Sequence, residues 1–309
     1  MRRVHWYVSP IAVGLLLISP ACGAGEDDGA RPTAVGDDAV TVTSFDFAES
    51  VVVAEIYSQA LEAAGFRVER ALSLGPREFV GPALSSGLVE LVPDYAGTAV
   101  EFVSLGKAEP SEDPARNHRE LLGALEAGSV TALAAAPAQD ANTFVVTTET
   151  ARRYGLTTLS DLRPIAGELT FGGPAECSTR RYCLAGLVDV YELRFDEVVL
   201  LDTGGPLTKQ ALRTGAVDVA LLFTTDPSIV ADGFVELSDD LDLQPAENIT
   251  PLVHRGVLER FGDELVEAID DVSVRLTTRE VRQLNADIAA PGADIAAVAT
   301  EWLRDTGPP

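Results

Sequence analysis

A polar turn that follows an apolar strand is the stretch of the sequence best suited to bind a ligand. It reads DYAGT, directly after Pro93. Open α/β sheets present ligand sites at the carboxyl ends of their strands. Tyr95 offers an aromatic face with a hydroxyl tip, and Gly97 permits close approach of the backbone. Thr98 offers a hydroxyl and, if a helix starts here, free N–H groups that suit an anion. The same pattern also fits an ordinary strand end with common turn residues.

Alternating strands and helices must position this turn. Residues 40–43 alternate as in a strand, and apolar residues from 53 to 64 recur at helical spacing until Gly65. A second strand is predicted around residues 66–69, and a third over 88–92, broken at Pro93. The order β-α-β-α-β predicts an α/β domain with a parallel sheet.

A second unit repeats this pattern. Residues 211–226 read ALRTGAVDVALLFTTD and parallel ALSSGLVELVPDYAGT at 83–98. Each has a helix end, a Gly, an apolar strand, an aromatic residue and polar residues. One such unit in each of two domains would place two binding edges across a cleft. The chain is expected to enter the second domain near residues 139–142 and to return near 248.

Between these units, short strands are predicted around 130–133, 144–147, 169–171 and 198–201, and a helix over 184–193. Three C-terminal helices are predicted at 258–269, 278–286 and 295–303.

Composition restricts the partners. The 309 residues carry a net charge of −25 and are 46% hydrophobic. A nucleic acid or an anionic membrane surface needs a basic footprint, so neither is an expected partner. The negative field favours cationic or zwitterionic ligands.

The first residues predict export. Arg2 and Arg3 precede an apolar run at 8–18, and small residues lead to Cys22. We interpret 1–21 as a signal peptide, Cys22 as a lipid attachment site and 22–38 as a flexible linker. Cleavage without lipidation, after Ala21 or Ala24, is the alternative.

The other two cysteines, Cys177 and Cys183, are six positions apart. In an oxidising compartment such a pair is typical of a disulfide; two buried free thiols are the alternative. His118 and His254 lie far from the pair in sequence, so no metal site is predicted. No cofactor is predicted either.

Five segments, in order, carry a family resemblance: residues 44–66, 74–98, 136–162, 173–183 and 211–226. The chain from about residue 40 to 303 resembles the substrate-binding proteins of ABC importers for glycine betaine, choline and related osmoprotectants. The resemblance implies the type II periplasmic-binding-protein fold, with two α/β lobes joined by two hinge strands around a central cleft. The expected lobe boundaries are 39–139 and 248–309 for the first lobe and 140–247 for the second. A monomer that docks on an ABC permease is also implied.

The resemblance further implies a box of aromatic rings around a quaternary ammonium group. Tyr95 is then one wall and Phe223 a ring from the second lobe, while Arg180 pairs with a ligand carboxylate. The implied ligand-binding residues are Ser44, Phe45, Tyr95, Thr98, Asn142, Phe144, Arg180, Phe223, Thr224 and Asn248.

The sequence departs from the family pattern at Phe45, where many members have Lys. This weakens the case for a carboxylate ligand, so choline, carnitine, a larger betaine or another cationic or zwitterionic solute also fit. Phe144 and Phe223 lie in apolar strands, where core packing is the commoner role. Only one of Phe45 and Phe47 is expected to face a ligand, and Phe45 is favoured.

We predict a binding protein for an importer rather than an enzyme, because the sequence has no nucleophile elbow, P-loop, dinucleotide fingerprint or zinc-protease motif. The alternatives are the same fold with a different small solute, or an exported sensor or scavenger.

Overall fold

The structure is a computed structural model, and it describes residues 38–307. The predicted signal peptide, Cys22 and the linker as far as residue 37 lie outside the described residues. The strands are β1 (Ala39–Thr43), β2 (Arg67–Ala71), β3 (Leu91–Tyr95), β4 (Val130–Ala132), β5 (Asn142–Thr147), β6 (Thr170–Gly173), β7 (Glu197–Leu200), β8 (Val219–Phe223), β9 (Phe234–Leu237) and β10 (Ile249–His254).

The helices alternate with these strands and then close the chain. They are α1 (Ala48–Ala63), α2 (Arg77–Ser85), α3 (Ala96–Val103), α4 (Pro114–Leu125), α5 (Thr148–Tyr154), α6 (Leu184–Asp189), α7 (Pro206–Thr214), α8 (Ser228–Ala231), α9 (Arg255–Arg275), α10 (Thr278–Ile288) and α11 (Ile295–Thr306). Short 3₁₀ turns lie at Leu159–Leu162, Ala166–Glu168 and Ala175–Ser178.

Two five-stranded sheets organise these elements. The first has the order β2-β1-β3-β10-β4 and the second β7-β6-β8-β5-β9. We call each sheet with the helices packed on it lobe 1 and lobe 2, respectively. In lobe 1, β1 is parallel to β2 and β3, as predicted, but β10 inserts antiparallel between β3 and β4. Both sheets are therefore mixed, because β5 is also antiparallel to its neighbours.

Helix α1 forms because its apolar residues recur at helical spacing. Val53, Ile56, Tyr57 and Leu61 are all buried in the core of lobe 1. The Tyr57 hydroxyl lies 2.9 Å from the Ser273 hydroxyl, which ties α1 to α9. The core therefore fixes α1, whose first turn carries Glu49.

The predicted break at Pro93 is wrong. Strand β3 runs through Pro93, which faces Pro251 in the antiparallel ladder with β10. The Pro251 carbonyl accepts a hydrogen bond of 2.9 Å from the Leu133 N–H, so it points away from β3. The two prolines, which have no N–H to donate, thus face each other at a position where the β3–β10 ladder needs no donor from either residue. An interior strand tolerates proline at such a position. Consequently the strand ends at Tyr95, and α3 begins directly after it.

Two segments join the lobes, and they lie side by side. Gln139, on the first crossing, pairs with Asn248, on the second, in an isolated antiparallel bridge. The Asp140 N–H also donates to the Glu247 carbonyl at 3.0 Å. The exact lobe boundaries remain a prediction. Elsewhere, α6 ends at Asp189 rather than at 193, and β9 had not been predicted.

Residues 38–307 contain no helix that is both long and apolar enough to cross a membrane.

Candidate ligand-binding site

Three aromatic rings cluster where the β1–α1 loop meets the end of β3. The centroids of Phe45 and Phe47 are 6.0 Å apart, and each lies near Tyr95, at 6.5 and 6.0 Å. Phe45 and Tyr95 are buried, whereas Phe47 is 42% exposed. The ring available on the surface of the cluster is therefore that of Phe47.

The Tyr95 hydroxyl connects the rings to a buried acid. It donates to Glu49 Oε1 at 2.8 Å, and Asn285 Nδ2 donates to Glu49 Oε2 at 2.6 Å. Burial and the neighbouring carboxylates raise the pKa of Tyr95 well above its ordinary value. Tyr95 is therefore a neutral hydrogen-bond donor that holds Glu49 in place.

A second acid, from the first crossing, meets Glu49. Thr225, which follows β8, donates from its hydroxyl to Asp140 Oδ1 at 2.7 Å, and Asp140 is also hydrogen-bonded to Glu49. Burial of the carboxyl and the nearby Glu49 raise the pKa of Asp140 well above its usual range. Asp140 therefore holds its proton more tightly than an ordinary aspartic acid does. Asn285 also donates to the Thr225 carbonyl at 3.2 Å, so this network links both lobes.

The start of α3 is filled by a carboxyl group of the protein itself. The Thr98 N–H donates to both carboxyl oxygens of Glu247, at 3.0 and 3.1 Å. A Cβ atom at Gly97 would lie 2.9 Å from the Pro245 Cβ and 3.0 Å from the Glu247 Cδ, so only glycine fits there. Burial raises the pKa of Glu247 to about 8, although the Thr98 N–H and Arg77 act in the opposite direction. The predicted free N–H groups at Thr98 are thus occupied.

Arg77 connects this helix start to the rings. Its Nη2 atom lies 2.6 Å from Asp94 Oδ1 and 2.8 Å from Thr98 Oγ1. Its guanidinium carbon also lies 5.3 Å from the centroid of the Phe45 ring. One face of Phe45 is therefore used by an internal cation, as in other cation–π pairs.

Comparison with known proteins identifies the family. The model for the substrate-binding domain of ABC-type glycine betaine transport systems matches residues 38–305. The chain belongs to this family. This confirms the predicted family, and because its members are substrate-binding proteins of transporters, it also confirms that the chain is not an enzyme.

Individual relatives match this chain over most of their lengths. The glycine betaine-binding protein YehZ of Escherichia coli (strain K12) is 27% identical over 269 residues, or 84% of this chain and 88% of YehZ. The carnitine transport binding protein OpuCC of Listeria monocytogenes is 26% identical over 275 residues, or 86% of each chain. A crystal structure of a glycine betaine/carnitine/choline ABC transporter superposes with a TM-score of 0.76 at 25% identity and covers 86% of this chain and 98% of its own. The predicted type II periplasmic-binding-protein fold is confirmed.

The family resemblance had implied three lobe 2 residues near the crossings. Asn142 Nδ2 donates to the Tyr182 carbonyl at 2.9 Å, which positions the loop between the cysteines. Phe223 faces Asn142 across β5 and β8, and its ring packs on Gly204, where a Cβ would lie 3.1 Å away. Thr224 Oγ1 accepts from the Ala141 N–H at 3.1 Å and donates to the Gln139 carbonyl at 3.2 Å, so its hydroxyl supports the first crossing.

The side chains of three other implied residues are engaged within the protein. Phe144 is buried in the core of lobe 2, with its ring 6.2 Å from that of Phe171. Ser44 is buried and accepts the Ser73 N–H at 2.8 Å, so it holds the β2–α2 loop. Asn248 Nδ2 donates to the Ala136 carbonyl at 2.8 Å, and its buried Oδ1 has no hydrogen-bond partner among the described residues.

The loop between the cysteines faces lobe 1. Cys177 and Cys183 are paired as a disulfide, with Cα atoms 5.1 Å apart. Arg180 is exposed, whereas its neighbour Arg181 pairs with Glu109 of lobe 1 at 3.0 Å. Half-buried Tyr182 had not been predicted, and its pKa is raised to about 12 by burial and by the charge of Glu101 on α3.

A cavity of about 350 Å³ lies beside the crossings, but its lining does not include the three rings. Asn142, Phe144 and Thr224 contribute to it, together with acidic residues such as Glu236 and Asp239. The rings and this cavity are therefore separate features.

Proposed function

We propose that the protein is exported, captures a small quaternary-ammonium solute between its lobes and delivers it to an ABC permease. The cluster of Phe45, Phe47 and Tyr95 beside two acids, Glu49 and Asp140, is the observation that carries this proposal. A trimethylammonium group cannot donate strong hydrogen bonds, so aromatic faces are its natural partners, worth roughly 0.5–2 kcal/mol each.

In this proposal Phe47 and Tyr95 contact the cation from lobe 1. Phe45 supports them from behind, because its own face already carries Arg77. Phe223 and Tyr182 are the lobe 2 residues that would approach from the other side. Glu49 and Asp140 supply negative charge in a partly desolvated environment, where electrostatic attraction to a cation is stronger than in water.

Closure of the lobes would couple binding to transport. A ligand that touches both lobes stabilises the closed state through contacts that the open state lacks. The two crossing segments, paired at Gln139 and Asn248, are suited to act as the hinge, because a bend in two short segments moves one lobe relative to the other. The lobes of this proposal are residues 39–139 with 248–309, and 140–247.

We place the protein outside the cytoplasmic membrane, attached through a lipid on Cys22. Anchoring would keep the protein near its permease. An oxidising compartment also favours the disulfide between Cys177 and Cys183.

The relatives support the ligand class by their names. YehZ is named for glycine betaine and OpuCC for carnitine, and both compounds carry a trimethylammonium group.

Thermal unfolding of the purified protein with added solutes tests the proposal. Choline, glycine betaine, carnitine and ergothioneine would be compared with amino acids. A ligand at about 100 times its Kd should add roughly 2.7 kcal/mol of stability, a shift of several degrees. A shift only with amino acids would refute the quaternary-ammonium proposal. Co-purification with a permease separates an importer component from a sensor or scavenger.

A further inference from the structure

We propose that Glu247 is the specificity-determining residue of this site. Its carboxyl group fills the place that a ligand carboxylate would take, so the preferred ligand is a quaternary ammonium compound without a carboxylate, such as choline. Because this inference rests on the proposed function, its test must separate the failure of one from the failure of the other.

The donors that would receive a ligand carboxylate are already used. Thr98 donates its N–H to both oxygens of Glu247, at 3.0 and 3.1 Å. Glu247 is 5% exposed and lies on the second crossing, directly before β10. Gly97 leaves no more than van der Waals space between α3 and residues 245–247. The Glu247 carboxyl group is therefore part of the packed interior and does not lie on the surface.

The neighbouring cation is also engaged. Arg77 pairs with Asp94 at 2.6 Å and donates to Thr98 Oγ1 at 2.8 Å, while it lies over the Phe45 ring. Arg180, which the family resemblance assigns to a ligand carboxylate, is exposed in the loop between the cysteines. Arg77 therefore offers no open bidentate partner, and no contact among residues 38–307 brings the side chain of Arg180 to the rings.

Displacement of Glu247 by a ligand would be costly. A ligand carboxylate could gain the Thr98 N–H only if it left the buried Glu247 carboxyl without its donor, and an unsatisfied buried polar group is strongly unfavourable. Both the neutral and the ionised carboxyl accept N–H bonds, so this occupation does not depend on the charge of Glu247.

Other acidic groups lie directly beside the ring cluster. Glu49 and Asp140 meet beside the Tyr95 hydroxyl. A ligand with a single positive charge suits the acids beside Tyr95, whereas the carboxylate of a zwitterion finds no open donor at Thr98. Glycine betaine and choline share the trimethylammonium group and differ mainly in carboxylate against hydroxyl, so they are matched probes.

Isothermal titration of the full chain with choline, glycine betaine and tetramethylammonium tests the inference. We expect the unmodified protein to bind choline at least tenfold more tightly than glycine betaine. Glu247→Ala frees the N–H of Thr98 and should reduce this ratio at least tenfold. Glu247→Gln still fills the position and should keep the ratio within about threefold. Glu126→Gln, an exposed position at the end of α4, is the control for a lost charge.

The outcomes are distinct. If the unmodified protein prefers glycine betaine, or if Glu247→Ala leaves the ratio unchanged, the inference is overturned while the proposed function stands. If Glu247→Gln behaves like Glu247→Ala, the carboxyl does not act by filling the position. If none of the three compounds binds but carnitine does, the inference is overturned, because carnitine carries a carboxylate; if no quaternary ammonium compound binds, the proposed function itself fails. The ratio is measured within one sample, so a partly unfolded variant does not obscure it.

Discussion

Replacement of Glu247 by Gln should flatten the pH dependence of the protein's stability. The pKa of this carboxyl is raised from its ordinary value of 4.5 to about 8 in the folded protein, chiefly by burial. A group whose pKa is raised on folding gives its full stability below the unfolded pKa and loses it as the pH rises through the folded pKa.

The size of this loss of stability follows from the interval between the unfolded pKa of 4.5 and the folded pKa of about 8. At 1.36 kcal/mol per pH unit, the whole interval corresponds to about 5 kcal/mol, and the part between pH 5 and pH 8 to about 3 kcal/mol. This is a large share of the 5–15 kcal/mol that stabilises a typical domain. Arg77 and Asp94 also face the carboxyl; Arg77 favours its ionised form and Asp94 its neutral form, and the pKa of about 8 contains both effects.

Urea denaturation followed by circular dichroism at pH 5, 6, 7 and 8 measures the loss. Asp140 has a raised pKa too and changes stability in the same direction, so the comparison of the unmodified protein with Glu247→Gln isolates Glu247. Glu126→Gln again serves as the control. Parallel stability curves for the unmodified protein and Glu247→Gln would refute the reasoning, since they would mean that Glu247 titrates alike in both states.

Three further predictions concern single side chains. Phe47→Ala should weaken binding of a quaternary ammonium ligand tenfold or more with only a small loss of stability, because the residue is 42% exposed; unchanged affinity by titration would count against the ring cluster. Arg180→Ala should leave affinity for choline and glycine betaine within about twofold, since the side chain is exposed, and a selective loss for glycine betaine would restore its role with a carboxylate. Gly97→Ala should destabilise the protein by about 1–3 kcal/mol in urea denaturation through overpacking. The matched Gly123→Ala meets nothing within 4 Å and should be neutral or stabilising, so equal effects of the two would contradict the packing argument.

Local patterns predicted much of the fold because periodicity and glycine stops act over short distances. Helix α1 and the strand and helix around each repeated unit follow from spacing alone. The course of β3 did not, because Pro93 is tolerated only through Pro251, which lies more than 150 positions later in the chain. Long-range pairing of this kind leaves no mark in the local sequence.

The site was harder to predict for a related reason. Tyr95 lies in a turn whose chemistry is evident, but the carboxyl that fills the start of α3 comes from Glu247 on another element. Which of Phe45 and Phe47 presents its ring to a ligand depends on their exposure, which the sequence does not show. Phe45 is buried and Phe47 is partly exposed. Phe144, which the resemblance implied as a ligand contact, packs in the core of lobe 2, the commoner place for a ring in an apolar strand, and its role at a ligand stays a prediction.

The late position of β10 in the chain has a consequence for how the protein acquires its structure. This strand lies between β3 and β4, so lobe 1 cannot complete its sheet until residues 249–254 are available. All strands of lobe 2, from 142 to 237, come earlier in the chain. Because β3 and β10 are more than 150 positions apart in the chain, lobe 2 can fold while lobe 1 still has open strand edges. Pulsed hydrogen exchange during refolding should show the amides of β5 and β8 protected before those of β3 and β4. The reverse order would mean that β10 pairs with β3 and β4 before the lobe 2 sheet forms, and that separation along the chain does not set the order of folding.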